Sequence, residues 1–367
     1  MTGSPLVRSR HRRRVHRPVR AILGAITIAL SGTALLTGPA PALAQAGGVD
    51  APPGDTLAEV RERGVLRCGV NTGLAGFARA DSLGRWSGFD VDLCRGVAAA
   101  VFGDPAKVDF RTVTNTDRFD GLVAGAFDVL SRNTTWTLER SALHGDFAGT
   151  NFYDGQGFMA RKGLGLRSAL ELDGRPICVS RGTTTERTTE AFFEASGIRY
   201  EPVLFDDESA AGRAYDVGEC EAITTDRSGL AAMRTGFEEP DAHMLLAETV
   251  SKEPLGPMVR ANDHRWALIV RWTLHCMVAA EEEGLDSANV RASAGDQSAR
   301  TRKITGLEGG IGPMLGLAPD WCASVIESVG NYAESYERNV GPDTPLGLPR
   351  GANALWTNGG LLYAPPF

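Results

Sequence analysis

Phe127–Arg140, FDVLSRNTTWTLER, decides how the chain is read. FDVLS is a short apolar strand preceded by a helical pattern. It runs directly into Ser131, Asn133, Thr134, Thr135 and Thr137 and ends at Arg140. A strand that leaves its sheet through hydroxyl and amide groups toward a single arginine matches the loops at the carboxyl ends of strands in open α/β sheets, where ligands sit. The other reading open to these residues is local: the Thr and Asn side chains cap the next helix and Arg140 is a solvated charge.

Outward from this stretch the pattern alternates. GVLRCGV (64–70) and KVDFRTV (107–113) are apolar strands. Phe89, Leu93, Val97 and Val101 recur every four residues, which predicts a helix packed along one face. Phe119, Leu122, Val123 and Ala126 predict a second helix. Strands alternating with helices imply a mostly parallel sheet with helices on its faces. The pattern then restarts: RPICVS (175–180), YEPVLF (200–205), CEAIT (220–224) and HMLLAETV (243–250) are strands, and GTTTERTTEAFFEASG (182–197) is a helix that Gly197 can end. Two α/β units result, with FMARKG (158–163) and EPLGPMV (253–259) expected to link them. Trp266–Glu283 and Trp321–Tyr336 read as helices, and the Gly/Pro-rich ending as a tail packed on the body.

The 367 residues suit two domains, and 43% hydrophobic residues suffice for proper cores. Residues 1–44 differ from the rest. Seven arginines between Arg8 and Arg20, an apolar stretch from Ala21 to Leu36 and Ala42-Leu43-Ala44 have the form of a signal peptide cleaved near Ala44. Residues 45–54 are expected to be a flexible leader. Without those seven arginines Lys+Arg falls from 38 to 31 against 45 acids, a net charge of about −14. Such a charge does not suit nucleic acid or an anionic membrane. Cys68, Cys94, Cys178, Cys220, Cys276 and Cys322 all follow the cleavage site. An even count in an exported chain favours disulfides, and the neighbour pairs 68–94, 178–220 and 276–322 are expected.

Two further loops match the first. SRGTTTE (180–186) follows a strand and opens a helix. Thr183-x-x-Glu186 has the capping-box form, Gly182 permits close approach to the backbone, and a helix start attracts anions. In TTDRSG (224–229), Asp226 stands at a strand end, where it either caps the helix or holds a ligand ammonium. Anion donors, a cation and a carboxylate together suit a zwitterionic α-amino acid. Gly163-x-Gly165 lacks the third glycine of a dinucleotide loop. His144, His243, His264 and His275 have no metal spacing, and no nucleophile–base pair can be placed. Neither an enzyme, a metal nor a cofactor is expected.

These motifs are also familiar. GFDVDLCRGVAAAV (88–101), VLSRNTTWTLER, GTTTER, TTDRSG, KEPLGPMVR and the ending LWTNGGLLYAPPF, in that order, resemble the periplasmic amino-acid-binding proteins of ABC importers, in their general L-amino-acid-binding branch. The resemblance implies the type II periplasmic binding protein fold, two α/β lobes joined by a two-strand hinge, here residues 55–157 with 260–367 and residues 158–259. It also implies Arg140 on the ligand carboxylate, Asn133 and Thr135 as first-lobe contacts, Gly182, Thr183 and Thr184 as second-lobe donors, and Asp226 on the ammonium. Leu74 stands where many members stack an aromatic ring on the ligand, and Arg132 where a small residue is frequent. A monomer that delivers L-amino acids of broad range from the periplasm to a membrane permease is expected. A dehydratase-like enzyme or a chemosensory domain on the same fold are the alternatives.

Overall fold

The computed structural model describes residues 54–292 and 298–367. The predicted signal peptide, and the leader up to Pro53, lie outside them. Contacts group the chain as Met1–Gln45 and Ala46–Phe367, and every described residue belongs to the second group.

Two five-stranded sheets organise it. In the first the strand order is Val108–Thr112, Leu66–Val70, Val129–Leu130, Met258–Val259, Asp146–Phe147. The first three run parallel, and Met258–Val259 is antiparallel to both its neighbours. In the second the order is Glu201–Phe205, Pro176–Ser180, Ala222–Asp226, Gln156–Arg161, His243–Leu245. Again the first three are parallel, while Gln156–Arg161 is antiparallel to both neighbours. The two parallel trios share one wiring, and their strand-exit loops line a common space.

The helix Phe89–Phe102 covers the first sheet, with Phe89, Leu93 and Val97 buried as their spacing requires. It packs on His264–Glu282 and Trp321–Val329 in the largest core. Its first-turn acids serve two directions. Asp92 accepts from Ser335 and Asn339 of the C-terminal helix Tyr332–Asn339. Asp90 accepts from Ser131 Oγ and the Asn133 N–H, both at 3.1 Å, and so pins the loop that follows Val129–Leu130. The cysteines pair 68–94, 178–220 and 276–322, each joining a strand or helix to a neighbour. At sequence separations of 26, 42 and 46 residues, such bridges contribute about 3–4 kcal/mol each by constraining the unfolded chain.

Three expectations are corrected. The segment 158–163 is no link: Gln156–Arg161 lies inside the second sheet, with Phe158, Met159 and Ala160 fully buried. The crossing strands are Phe152–Asp154 and Glu253–Leu255, paired antiparallel with Glu253 opposite Asp154. The helix expected over Phe119–Ala126 stops at Val123, which is 50% exposed, because Gly125 turns the chain at φ 71°. Trp321–Tyr336 is two helices. Gly330 ends the first, and Asn331 opens the second through a capping box with Glu334. The C-terminal tail packs as expected, with Leu355, Leu362 and Ala364 in the core.

Candidate functional site

The strand-exit loops of both sheets line a half-open cleft with about 330 Å³ of space between its walls, solvent included, and every lining side chain is polar. From the first sheet come Asn115, Arg118, Arg132, Asn133, Thr135 and Arg140. The second contributes Ser180, Thr183–Thr185, Glu208, Thr225 and Asp226.

Arg140 is buried, not a solvated charge. It lies in the helix Leu138–Leu143, capped by Thr137 Oγ, which accepts from the Arg140 N–H. Its guanidinium donates to the Thr135 carbonyl at 2.8 Å and stands 5.3 Å from the Phe119 ring. Burial pushes its pKa down to about 10, against the pull of Glu253 and Asp226, so it remains a cation at neutral pH. Five N–H donors less one leave a fork for a carboxylate. Asn133 holds the left-handed conformation (φ 30°) that Asn tolerates. Its side-chain oxygen accepts from Asn71.

On the second side Thr183 is the N-cap of the helix Thr184–Ser196. Its Oγ accepts from the Glu186 N–H and donates to the Ser180 carbonyl at 2.7 Å, so its one hydroxyl proton is engaged. Gly182, at φ 72°, gives its N–H to the Glu186 carboxylate and lies off the cavity wall. Its role in the structure is to turn the chain into the helix. The donors left over at this helix start are the N–H groups of Thr184 and Thr185, which have no acceptor within the helix. Thr184 Oγ lies 3.4 Å from Thr135 Oγ across the cleft and donates to Glu253.

Asp226 begins the helix Arg227–Arg234, yet its side chain does not cap it. Asp154 on the crossing strand accepts the Ser228 N–H instead, at 3.1 Å. Asp226 is thereby released into the cavity. Burial, and then Asp154, Glu253 and Glu208, hold its carboxyl well above the usual range. An ammonium would remove that penalty.

Sequence reasoning missed Asn115, Arg118 and Glu208. Arg118 Nε and Asn115 Nδ2 are buried with no hydrogen-bond partner. Both follow the strand Val108–Thr112, so the strand-exit rule applied there would have found them. Glu208, in the first turn of its helix, resembles an ordinary dipole-favoured acid. Leu74 is buried but lines an adjoining cavity, not the polar one. Among the described residues no group of three or more His, Cys, Asp or Glu could hold a metal, and no helix is long and apolar enough to cross a membrane.

Residues 66–289 match the family model described as bacterial extracellular solute-binding proteins, family 3. The general L-amino acid-binding periplasmic protein AapJ of Rhizobium johnstonii is 49% identical over 87% of this chain and 94% of its own length. The glutamate/glutamine/aspartate/asparagine-binding protein BztA of Rhodobacter capsulatus is 48% identical over 85% of this chain and 93% of its own. An ABC transporter periplasmic binding protein from Brucella ovis, solved with glutathione bound, superposes at a TM-score of 0.84 with 48% identity, covering 85% of this chain and 99% of that one.

Proposed function

This chain belongs to the bacterial extracellular solute-binding proteins of family 3, and from that premise we propose that it binds free L-amino acids between its two lobes and delivers them to the permease of an ABC importer. The observation that carries the reading is the pairing of Arg140, a buried cation with unused donors, and Asp226, a buried carboxylate excused from capping, on opposite walls of one polar cavity.

Arg140 and the N–H groups of Thr184 and Thr185 take the α-carboxylate, with Thr135 and Asn133 beside it. Asp226 takes the ammonium. Arg118 and Asn115 supply donors to the side-chain end. Each charge-assisted hydrogen bond contributes roughly 1.5–3 kcal/mol, and ordering and association costs leave about −8 kcal/mol, micromolar binding. Closure is favoured by the ligand because only the closed form offers both walls at once. Relatives named for L-amino-acid binding support the ligand class. So does the glutathione held by the Brucella ovis protein, whose γ-glutamyl end carries the same free carboxylate and ammonium. The relatives' names describe binding proteins rather than enzymes, and the cavity reading involves no bond-making step. The family's extracellular character supports a working chain outside the cytoplasmic membrane.

A thermal-shift screen of the processed chain against L- and D-amino acids and their deaminated analogues tests this. Ligand at one hundred times Kd adds about 2.7 kcal/mol, roughly 5 °C in Tm. Stabilisation by several L-amino acids, and much weaker stabilisation by their deaminated analogues, is expected. No response to any L-amino acid would refute the reading.

A further inference from the structure

Beside the polar cavity lies a second, half-open one with about 620 Å³ of space, solvent included, and Glu208 lines both. Its walls differ in character. Leu74 and Met233 supply apolar surface, Ser209 and Thr235 supply hydroxyls, and Arg79 is an exposed cation. At the junction the Glu208 carboxylate accepts one hydrogen bond, from Thr225 Oγ at 3.0 Å. Its remaining lone pairs suit a neutral N–H, while a ligand carboxylate placed beside them is repelled.

The inner cavity restricts what can reach the outer one. Arg140 and Asp226 require a free carboxylate and a free ammonium on the same carbon. An ordinary α-linked dipeptide has lost one of the two at each residue. Only an extension hung on the side chain leaves both free. We propose that the outer cavity is a subsite for amino acids whose side chain carries an amide-linked extension, γ-glutamyl peptides being the simplest class. The amide N–H faces Glu208, the extension lies between Leu74 and Met233, and its terminal carboxylate meets Arg79. This rests on the amino-acid reading above and adds a substrate class to it.

Calorimetry on the full processed chain separates the two, with L-glutamine, γ-L-glutamylglycine and α-L-glutamylglycine as probes. L-Glutamine and the γ-linked dipeptide should bind and the α-linked one should not. Met233→Trp, which narrows the outer cavity beside Leu74, should weaken the γ-dipeptide about 30-fold while leaving L-glutamine within about 3-fold. Arg79→Ala, an exposed change that keeps the fold, should cost the γ-dipeptide alone about 3- to 5-fold. Binding of L-glutamine without the γ-dipeptide overturns the subsite and leaves the amino-acid reading intact, as does a γ-dipeptide affinity indifferent to both variants. Binding of neither probe overturns both.

Discussion

The two walls of the cleft carry opposite charges and hold them in opposite ways. On the first wall Arg140 is built in: its own helix is capped by Thr137, its guanidinium is anchored on the Thr135 carbonyl, and its loop is pinned by Asp90. On the second wall Asp226 is left without a local partner and crowded by Asp154, Glu253 and Glu208. On the proposed reading one wall is a finished anion receptor, and the other is a buried carboxyl whose desolvation and like-charged neighbours a ligand ammonium would offset. On that reading the ligand carboxylate meets a ready site, and its ammonium completes an unready one.

Removing the finished wall should have the largest effect. Arg140→Ala takes away two or more charge-assisted bonds, so amino-acid affinity should fall about 100-fold or more, measured by titration calorimetry, with Tm of the ligand-free protein nearly unchanged. Near-normal affinity would dissolve the contrast.

The unready wall should respond to pH. Asp226 titrates high in the free protein because it is buried and because Asp154 and Glu253 from the crossing strands and Glu208 from its own lobe add like charge, with Arg140 opposing them. A bound ammonium restores the ionised form. Binding therefore releases a proton at pH below the free-protein value, and affinity rises with pH until that value is passed. Calorimetry in buffers of different ionisation enthalpy reads the proton directly. The stability of the free protein runs the other way: the contribution of protonated Asp226 is full below the unfolded carboxyl value and is lost as pH rises toward the raised one.

Asp154→Ala tests how Asp226 is kept free. The helix Arg227–Arg234 loses its cap, at a cost of about 1 kcal/mol, or roughly 2 °C in Tm. Amino-acid affinity should also fall several-fold as Asp226 turns to the vacant N–H groups. Smallest is the cross-cleft pair Glu139–Arg187, at 3.2 Å and more than half exposed on both sides. Glu139→Gln should change affinity less than about 5-fold, and the change should vanish at high salt.

Where the sequence was legible, the reason was local. Apolar runs ending in polar residues marked the exits of three strands, and those exits hold Arg140, Thr183–Thr185 and Asp226. The break at Gly330–Asn331 is also written locally, as the capping box Asn331-x-x-Glu334, but the apolar spacing of Trp321–Tyr336 carried the reading through it as one helix. What was not legible depended on partners far away. Asp226 reads equally as a cap until Asp154, 74 residues before Ser228, is seen doing that work. Gly182 and Thr183 read as free donors until Glu186 and the Ser180 carbonyl occupy them. Leu74 reads as a wall of the amino-acid pocket, but tertiary packing sets it in the outer cavity, where no spacing rule points.

The sharpest test of the two-wall account is Asp226→Asn, titrated with an L-amino acid and with its deaminated analogue in parallel. The account predicts that the amino acid loses about 30-fold or more, that the analogue is nearly unaffected, and that at a pH above the raised Asp226 value the ligand-free variant melts higher because a buried charge has gone. Equal losses for the two ligands, with no gain in Tm, would contradict it.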